Sequence, residues 1–115
     1  MDNSQIEMIN KNELLNRFSA PMGNNKIKFL EYAQTIHLEN SHAIIDEFIS
    51  MQDQVFDQIL RITEPNIRLT GQEIEKACSD FCLEKFDWLN TKGISAISRW
   101  LIWMCWHEGI LKATE

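Results

Sequence analysis

Four side chains that can bind soft metal ions stand in the second half of this sequence. Cys78 and Cys82 are four residues apart, and Cys105 and His107 are two apart. Four thiolate and imidazole ligands are the usual set of a structural zinc site. The spacing is not that of a common zinc finger, and Cys78 and Cys82 belong to an apolar helical stripe in which small cysteines are ordinary core residues. We therefore expect neither a metal site nor a cofactor.

Other residue types that could support catalysis also lack a suitable arrangement. His37 and His42 flank Glu39 but are five residues apart, so they do not share a helical face as metal ligands four apart would, and we expect them to be exposed. Acidic pairs such as Asp53 and Asp57 lie on the polar side of an amphipathic pattern, which is typical of a solvated face. The sequence contains no nucleophile elbow, P-loop or dinucleotide fingerprint. These observations predict a protein that is not an enzyme and has no catalytic residues.

The elements that carry these side chains are predicted to be helices. Only four glycines and two prolines occur in 115 residues, and no alternating β-branched run indicates a strand. The length suits one domain, residues 1–115, with a single core. We predict an all-α bundle of four to five helices, the first of which ends before Pro21.

The longest apolar pattern predicts a central helix over residues 26–63. Its members recur every three or four residues and are Phe29, Ala33, Ile36, Ile44, Phe48, Met51, Val55, Ile59 and Ile62, with Asn40 as the one polar member. An unbroken helix of this length would span about 57 Å, whereas a compact domain has a radius of gyration of about 13 Å. The helix is therefore either broken near Asn40-Ser41, since both residues favour caps, or it protrudes, which would imply a dimer.

A capping box marks the next helix. Thr70 and Glu73 are spaced so that each side chain can bond to the other's backbone amide. We expect a kink or restart near residues 83–86, where the apolar stripe loses its register. Asn90 and Gly93 then predict a helix end, with Gly93 in the left-handed conformation.

The stretch from Ser95 to Leu111 predicts a helix that is apolar on nearly every side. On a 100° wheel Ile97, Trp100, Leu101, Met104 and Glu108 share an inward face, with Cys105 beside it. The opposite face carries Arg99, Ile102, Trp103 and Trp106. Such a helix is either covered on all sides, here by the first or the long helix, or it presents one face to a partner.

Residues 66–115 also resemble a winged helix-turn-helix. The likeness rests on residues 69–74 (LTGQEI), 95–101 (SAISRWL) and 108–111 (EGIL). It implies a capped helix, a reading helix and an exit into a wing, in a complete or a degenerate form. It also implies that Lys92, Ser95, Ser98 and Arg99 would face DNA.

The charge distribution argues against a polyanion as partner. The sequence carries 17 acidic and 11 basic residues, for a formal charge of −6, which opposes binding to nucleic acid or an anionic membrane. No long apolar segment or secretion signal is evident, and the cysteine count is three, so we expect a cytoplasmic protein with reduced thiols.

These patterns predict a small, acidic, non-enzymatic regulator or inhibitor. It would act by contact with another protein, whose identity the sequence does not reveal, or with its own copy as a homodimer. Arg99, Ile102, Trp103 and Trp106 are the predicted partner-binding residues, because buried aromatic side chains dominate interface energetics. The alternative is a winged-helix DNA-binding transcription regulator, which the charge makes the less favoured hypothesis, and a metal-dependent activity ranks third.

Overall fold

Five α-helices form the part of the chain that the computed structural model describes, residues 3–20, 23–63 and 68–111, with side chains from residue 7 onward. In chain order they are α1 Asn3–Phe18, α2 Lys26–Thr35, α3 Ser41–Thr63, α4 Gly71–Lys85 and α5 Thr91–His107. The predicted all-α bundle is therefore confirmed. None of the described helices combines the length and the apolar character that a membrane crossing requires.

The predicted long helix is broken, which is the first of the two alternatives considered for it. α2 ends at Thr35, and His37 takes a left-handed conformation with φ of 55°. The amide of His37 donates to Gln34 O at 3.2 Å and that of Leu38 to Ala33 O at 2.9 Å, which is the bonding pattern of a Schellman motif. An unbroken helix over 26–63 is thus wrong, and the break begins before the Asn40-Ser41 position expected for it. The bundle, 45 Å in its longest dimension, is shorter than such a helix.

The break lets α2 pack back against α1 and α3. Phe18, Phe29 and Phe48 come from these three helices and form an aromatic cluster with ring centroids 5.8–6.0 Å apart. The predicted row is buried through the middle of α3, whereas at its end Ile62 is 40% exposed. Thr63 is buried in its place.

A polar residue that the apolar pattern does not reveal also lies in this core. Gln52 is 2% exposed and donates to Ser19 Oγ at 3.0 Å and Asn24 Oδ1 at 2.7 Å. Asn24 Nδ2 donates back to Gln52 Oε1 at 2.9 Å. Because burial of an unpaired amide is costly, these bonds fix the α1–α2 connection to α3.

The capping box at α4 is confirmed. Glu73 N donates to Thr70 Oγ1 at 3.1 Å, and Thr70 N donates to Glu73 Oε1 at 3.0 Å. In place of the kink or restart expected near 83–86, α4 ends at Lys85, and the next helix begins at Thr91.

The predicted helix end at Gly93 is wrong. Asn90 is the N-cap of α5 and accepts from Gly93 N at 3.2 Å, so Gly93 lies in the first turn of the helix. The glycine is needed there for close packing: it is buried, and a β-carbon on it would lie 2.6 Å from Leu89 Cδ2. α5 packs against α1, α3 and α4, which places it at the centre of the bundle.

Candidate protein-binding groove

The inward face of α5 follows the sequence prediction over most of its length. Ile97, Leu101 and Cys105 are fully buried and Trp100 is 6% exposed. Met104 is half-buried, and Glu108 is exposed at the C-cap, so its predicted inward position is wrong. The buried residues fix the rotation of α5 in the bundle and so determine which side chains remain outside.

The outer face of α5 contributes most of the lining of a shallow groove of about 360 Å³. The groove is lined by Arg99, Ile102, Trp103, Trp106 and Leu111. These are the four partner-binding residues predicted from the sequence and one more. Ile102 and Trp103 lie three and four residues after Arg99, and Trp106 lies four and three residues after them, so the first four share a single stripe of the helix.

The two tryptophans of the groove differ in how far the fold covers them. Trp106 is 65% exposed, and Trp103 and Ile102 are half-buried. The alternative in which the first or the long helix covers both rings is therefore wrong for Trp106. An exposed indole beside two half-buried apolar side chains is the kind of apolar patch that marks interaction sites.

Leu111 reaches the groove because the chain reverses after α5. Gly109 has φ of 75°, its amide donates to Trp106 O at 3.1 Å, and Ile110 N donates to Cys105 O at 2.8 Å, which completes a second Schellman motif. Leu111 then forms a parallel β-bridge with Leu69. Gly109 after the apolar stripe was the sequence signal for this turn, but the return of Leu111 to the α5 face depends on its pairing with a distant residue.

Arg99 is held at the groove by two neutral acceptors. Its Nη1 donates to Ser95 Oγ at 3.1 Å, and its Nη2 donates to Asn16 Oδ1 of α1 at 2.8 Å. No carboxylate among the described residues pairs with it. Lys92 on the same helix instead pairs with Glu13 at 2.8 Å. The positive charge of Arg99 therefore remains without a counter-charge beside the tryptophans.

The far end of the groove carries an aromatic contact. The His107 ring lies 5.5 Å from the Trp103 ring, and His107 Nδ1 lies 3.3 Å from Glu108 Oε1. His107 is consequently directed to the solvent side of α5 and away from the buried cysteines.

The residues that the winged-helix resemblance assigned to DNA do not form a common free surface. Ser98 is 8% exposed, so the expectation that it faces a duplex is wrong. Lys92 is neutralised by Glu13, and the Lys92 hydrogen bond is the largest cause of the lowered pKa of that carboxyl group. Ser95 and Arg99 are exposed and bond to each other.

The three cysteines lie in the core, apart from His107. Cys78 Sγ and Cys82 Sγ are 4.0 Å apart on α4, and Cys105 is buried on α5. The hydrogen bond with Cys78 and burial raise the pKa of the Cys82 thiol, and burial raises the pKa of Cys105 to about 12. Within the described ranges, no three or more histidine, cysteine or acidic side chains are arranged to hold a metal ion.

A second cavity, of about 660 Å³, lies between α1 and the α2–α3 connection. His37 and Glu39 contribute to its wall, and both His37 and His42 are exposed, as expected. Two polar groups of the wall are already engaged, since Lys11 pairs with Glu47 of α3 and Asn10 accepts from the Tyr32 hydroxyl of α2. These contacts join α1 to its neighbouring helices.

Compared with known proteins, the chain matches no family model, no curated protein and no solved structure.

Proposed function

We propose that this protein acts without catalysis, as a regulator or inhibitor that binds another protein through the groove on α5. The observation that supports this proposal is the 65% exposure of Trp106 in a groove lined by three further apolar side chains. Burial of a tryptophan ring is among the most favourable contributions to an interface, so this ring can serve as an anchor for a partner.

The energetics of the groove suit an interface. Covering the exposed part of Trp106 would contribute on the order of 3 kcal/mol at the usual value per unit of apolar area. Trp103 and Ile102 are half-buried by the fold, so little side-chain entropy remains to be lost there when a partner binds. The groove therefore combines an exposed anchor, Trp106, with neighbouring side chains that the fold already orders.

The charges favour a protein over nucleic acid as the partner. A DNA-binding helix needs several free cations for phosphate contacts, whereas Arg99 is the one cation among the described residues that line the groove. The β-bridge between Leu69 and Leu111 joins the segments before α4 and after α5, as the start of a wing would. With Ser98 buried and Lys92 paired to Glu13, the winged-helix regulator remains the less favoured alternative.

A capture experiment with matched variants tests the proposal. Leu83 on α4 is 64% exposed, nearly the same as Trp106, and lies outside the groove, so Leu83→Ala is the control for Trp106→Ala. We expect the unchanged protein and the Leu83→Ala variant to retain the same protein from a host extract and the Trp106→Ala variant to lose it. The captured protein is then purified and its binding to all three baits is measured directly.

Three results would contradict the proposal. Equal binding by all three baits would exclude the groove as the binding surface. A dimer in light-scattering measurements that Trp106→Ala converts to a monomer would assign the groove to a second copy of the chain. A low-salt mobility shift with a random duplex pool that enriches one sequence would favour the DNA-binding alternative.

A further inference from the structure

Arg99 places an unneutralised cation at the edge of an apolar groove, and this arrangement limits what the groove can bind. We infer that the bound segment of the partner carries an aspartate or glutamate side chain that pairs with Arg99, next to an apolar side chain that covers Trp103 and Trp106. The inference rests on the proposed function and specifies the chemistry of its partner.

The two other described cations near this edge of the bundle, Arg17 and Lys92, already have a carboxylate partner. Glu13 accepts from both Arg17 and Lys92 at 2.8 Å, so these two neighbours on α1 and α5 share one carboxylate. Arg99 bonds instead to an amide oxygen and a hydroxyl, which orient the guanidinium without cancelling its charge. Among the described residues at this edge of the bundle, Arg99 is thus the cation that has no carboxylate partner and can accept an external anion.

The guanidinium is suited to a carboxylate in this position. It has five N–H donors in a planar fork, and the bonds to Ser95 and Asn16 use two of them. The remaining donors can bond a carboxylate, and the two existing bonds reduce the entropy that is lost when the ion pair forms. The apolar side chains beside Arg99 lower the local dielectric once a partner covers them, so the pair would be stronger than an exposed one.

The spacing along α5 predicts the pattern of the partner. Arg99 lies one turn before Trp103 and two turns before Trp106, which corresponds to about 6 Å and about 10 Å along the helix axis. The acidic side chain and the apolar anchor of the partner must lie at a similar separation. In an extended segment this separation is about two to three residues, and in a helix it is one to two turns.

A selection from random peptides tests this inference. Twelve-residue random peptides, joined to linkers at both ends so that they lack a free terminal carboxylate, are displayed and selected on three baits. The baits are the unchanged protein, Arg99→Gln and Trp106→Ala, each first shown by circular dichroism to keep its helical content. We expect the unchanged protein to enrich peptides that combine an apolar anchor with an acidic residue at one preferred spacing. The Arg99→Gln bait should keep the anchor and lose the acidic residue.

A selected peptide and its amide counterpart, with Asp→Asn or Glu→Gln, give the quantitative test. Replacing the acid should weaken binding to the unchanged protein about tenfold, the usual effect of losing a charge-assisted hydrogen bond. The same replacement should leave binding to Arg99→Gln unchanged within about twofold.

The outcomes separate this inference from the proposed function. Enrichment of Trp106-dependent apolar peptides without an acidic preference would overturn the role of Arg99 and leave the groove as a protein-binding site. The same acidic preference with the Arg99→Gln bait would do so as well. The absence of any peptide that depends on Trp106 would overturn both. Displacement of the peptides by an oligonucleotide would overturn both in favour of a nucleic acid, whose phosphate would then be the anion for Arg99.

Discussion

The side-chain oxygen of Asn12 on α1 occupies the space that a β-carbon of residue 93 would need on α5. Asn12 is 1% exposed, donates to Met8 O and Trp88 O at 2.8 and 3.0 Å, and accepts from Asn90 N at 2.9 Å. Gly93 thereby lets α1 approach the first turn of α5. The same approach brings Asn16, one turn further along α1, within hydrogen-bonding distance of Arg99.

Replacing Gly93 with alanine should destabilise the fold. The added methyl group would overlap Asn12 Oδ1 and press on Leu89, and overpacking of this kind costs about 1–3 kcal/mol in the free energy of unfolding. Gly71→Ala is the matched control, because a β-carbon there meets no atom within 4 Å. Urea unfolding of the two variants should give a lower midpoint for Gly93→Ala alone. Equal midpoints would show that α1 does not pack on Gly93 as described.

Substitution of Trp100 and of Trp106 should reduce the free energy of unfolding by very different amounts. Trp100 is 6% exposed, and its change to alanine should cost about 3–5 kcal/mol of unfolding free energy. Trp106 is 65% exposed, so its change to alanine should cost less than about 1 kcal/mol. Thermal unfolding followed by circular dichroism measures both. A loss for Trp106→Ala as large as that for Trp100→Ala would mean that Trp106 belongs to the core.

Glu13 should make stability depend on pH in the acid range. The hydrogen bond from Lys92, together with that from Arg17, holds the pKa of the Glu13 carboxyl below its ordinary value of 4.5. A carboxyl whose pKa is lower in the folded state stabilises the fold above the unfolded-state pKa, and this contribution is lost as the pH falls through the folded-state pKa.

The corresponding experiment compares the unchanged protein with Glu13→Gln by urea unfolding from pH 7 down to pH values well below 4.5. We expect the variant to be less stable at pH 7 and the difference to shrink as the pH falls below 4.5, until the two curves meet. Asp80→Asn is the control, because Asp80 pairs with Lys76 on the exposed side of α4, where ion pairs contribute little. A Glu13→Gln difference that is constant with pH would exclude an electrostatic origin.

The three thiols should resist modification in the folded protein. Cys78, Cys82 and Cys105 are buried, so a reagent in solution cannot reach them in the folded state. Burial also raises the pKa of Cys105 to about 12, so little of its reactive thiolate forms near neutral pH. With Ellman's reagent at pH 8 we expect slow labelling of the native protein at the rate of its unfolding. All three thiols should react promptly in urea. Fast labelling of one thiol in the native protein would place that cysteine at the surface.

Features set by neighbouring residues could be predicted from the sequence. The capping box at Thr70, the helical class and the buried face around Ile97 depend on groups within one or two helical turns, and all are present in the structure. The position at which α2 ends, two residues before His37, was not predicted, because the left-handed residue of a Schellman motif is usually glycine or asparagine. A histidine there gives no comparable signal, although the hydrogen bonds form in the same way.

Features set by distant elements were decided by the tertiary structure. The helical spacing placed four side chains on one stripe of a helix, Arg99, Ile102, Trp103 and Trp106, but it left open whether another helix covers that stripe. The winged-helix resemblance placed Ser98 on the outside, facing DNA. The packing of α1 and α4 against α5 buries Ser98, leaves Trp106 exposed and gives Arg99 the neutral partner Asn16. Helical periodicity fixes which side chains share a face, whereas the exposure and charge of that face depend on residues far away in the chain.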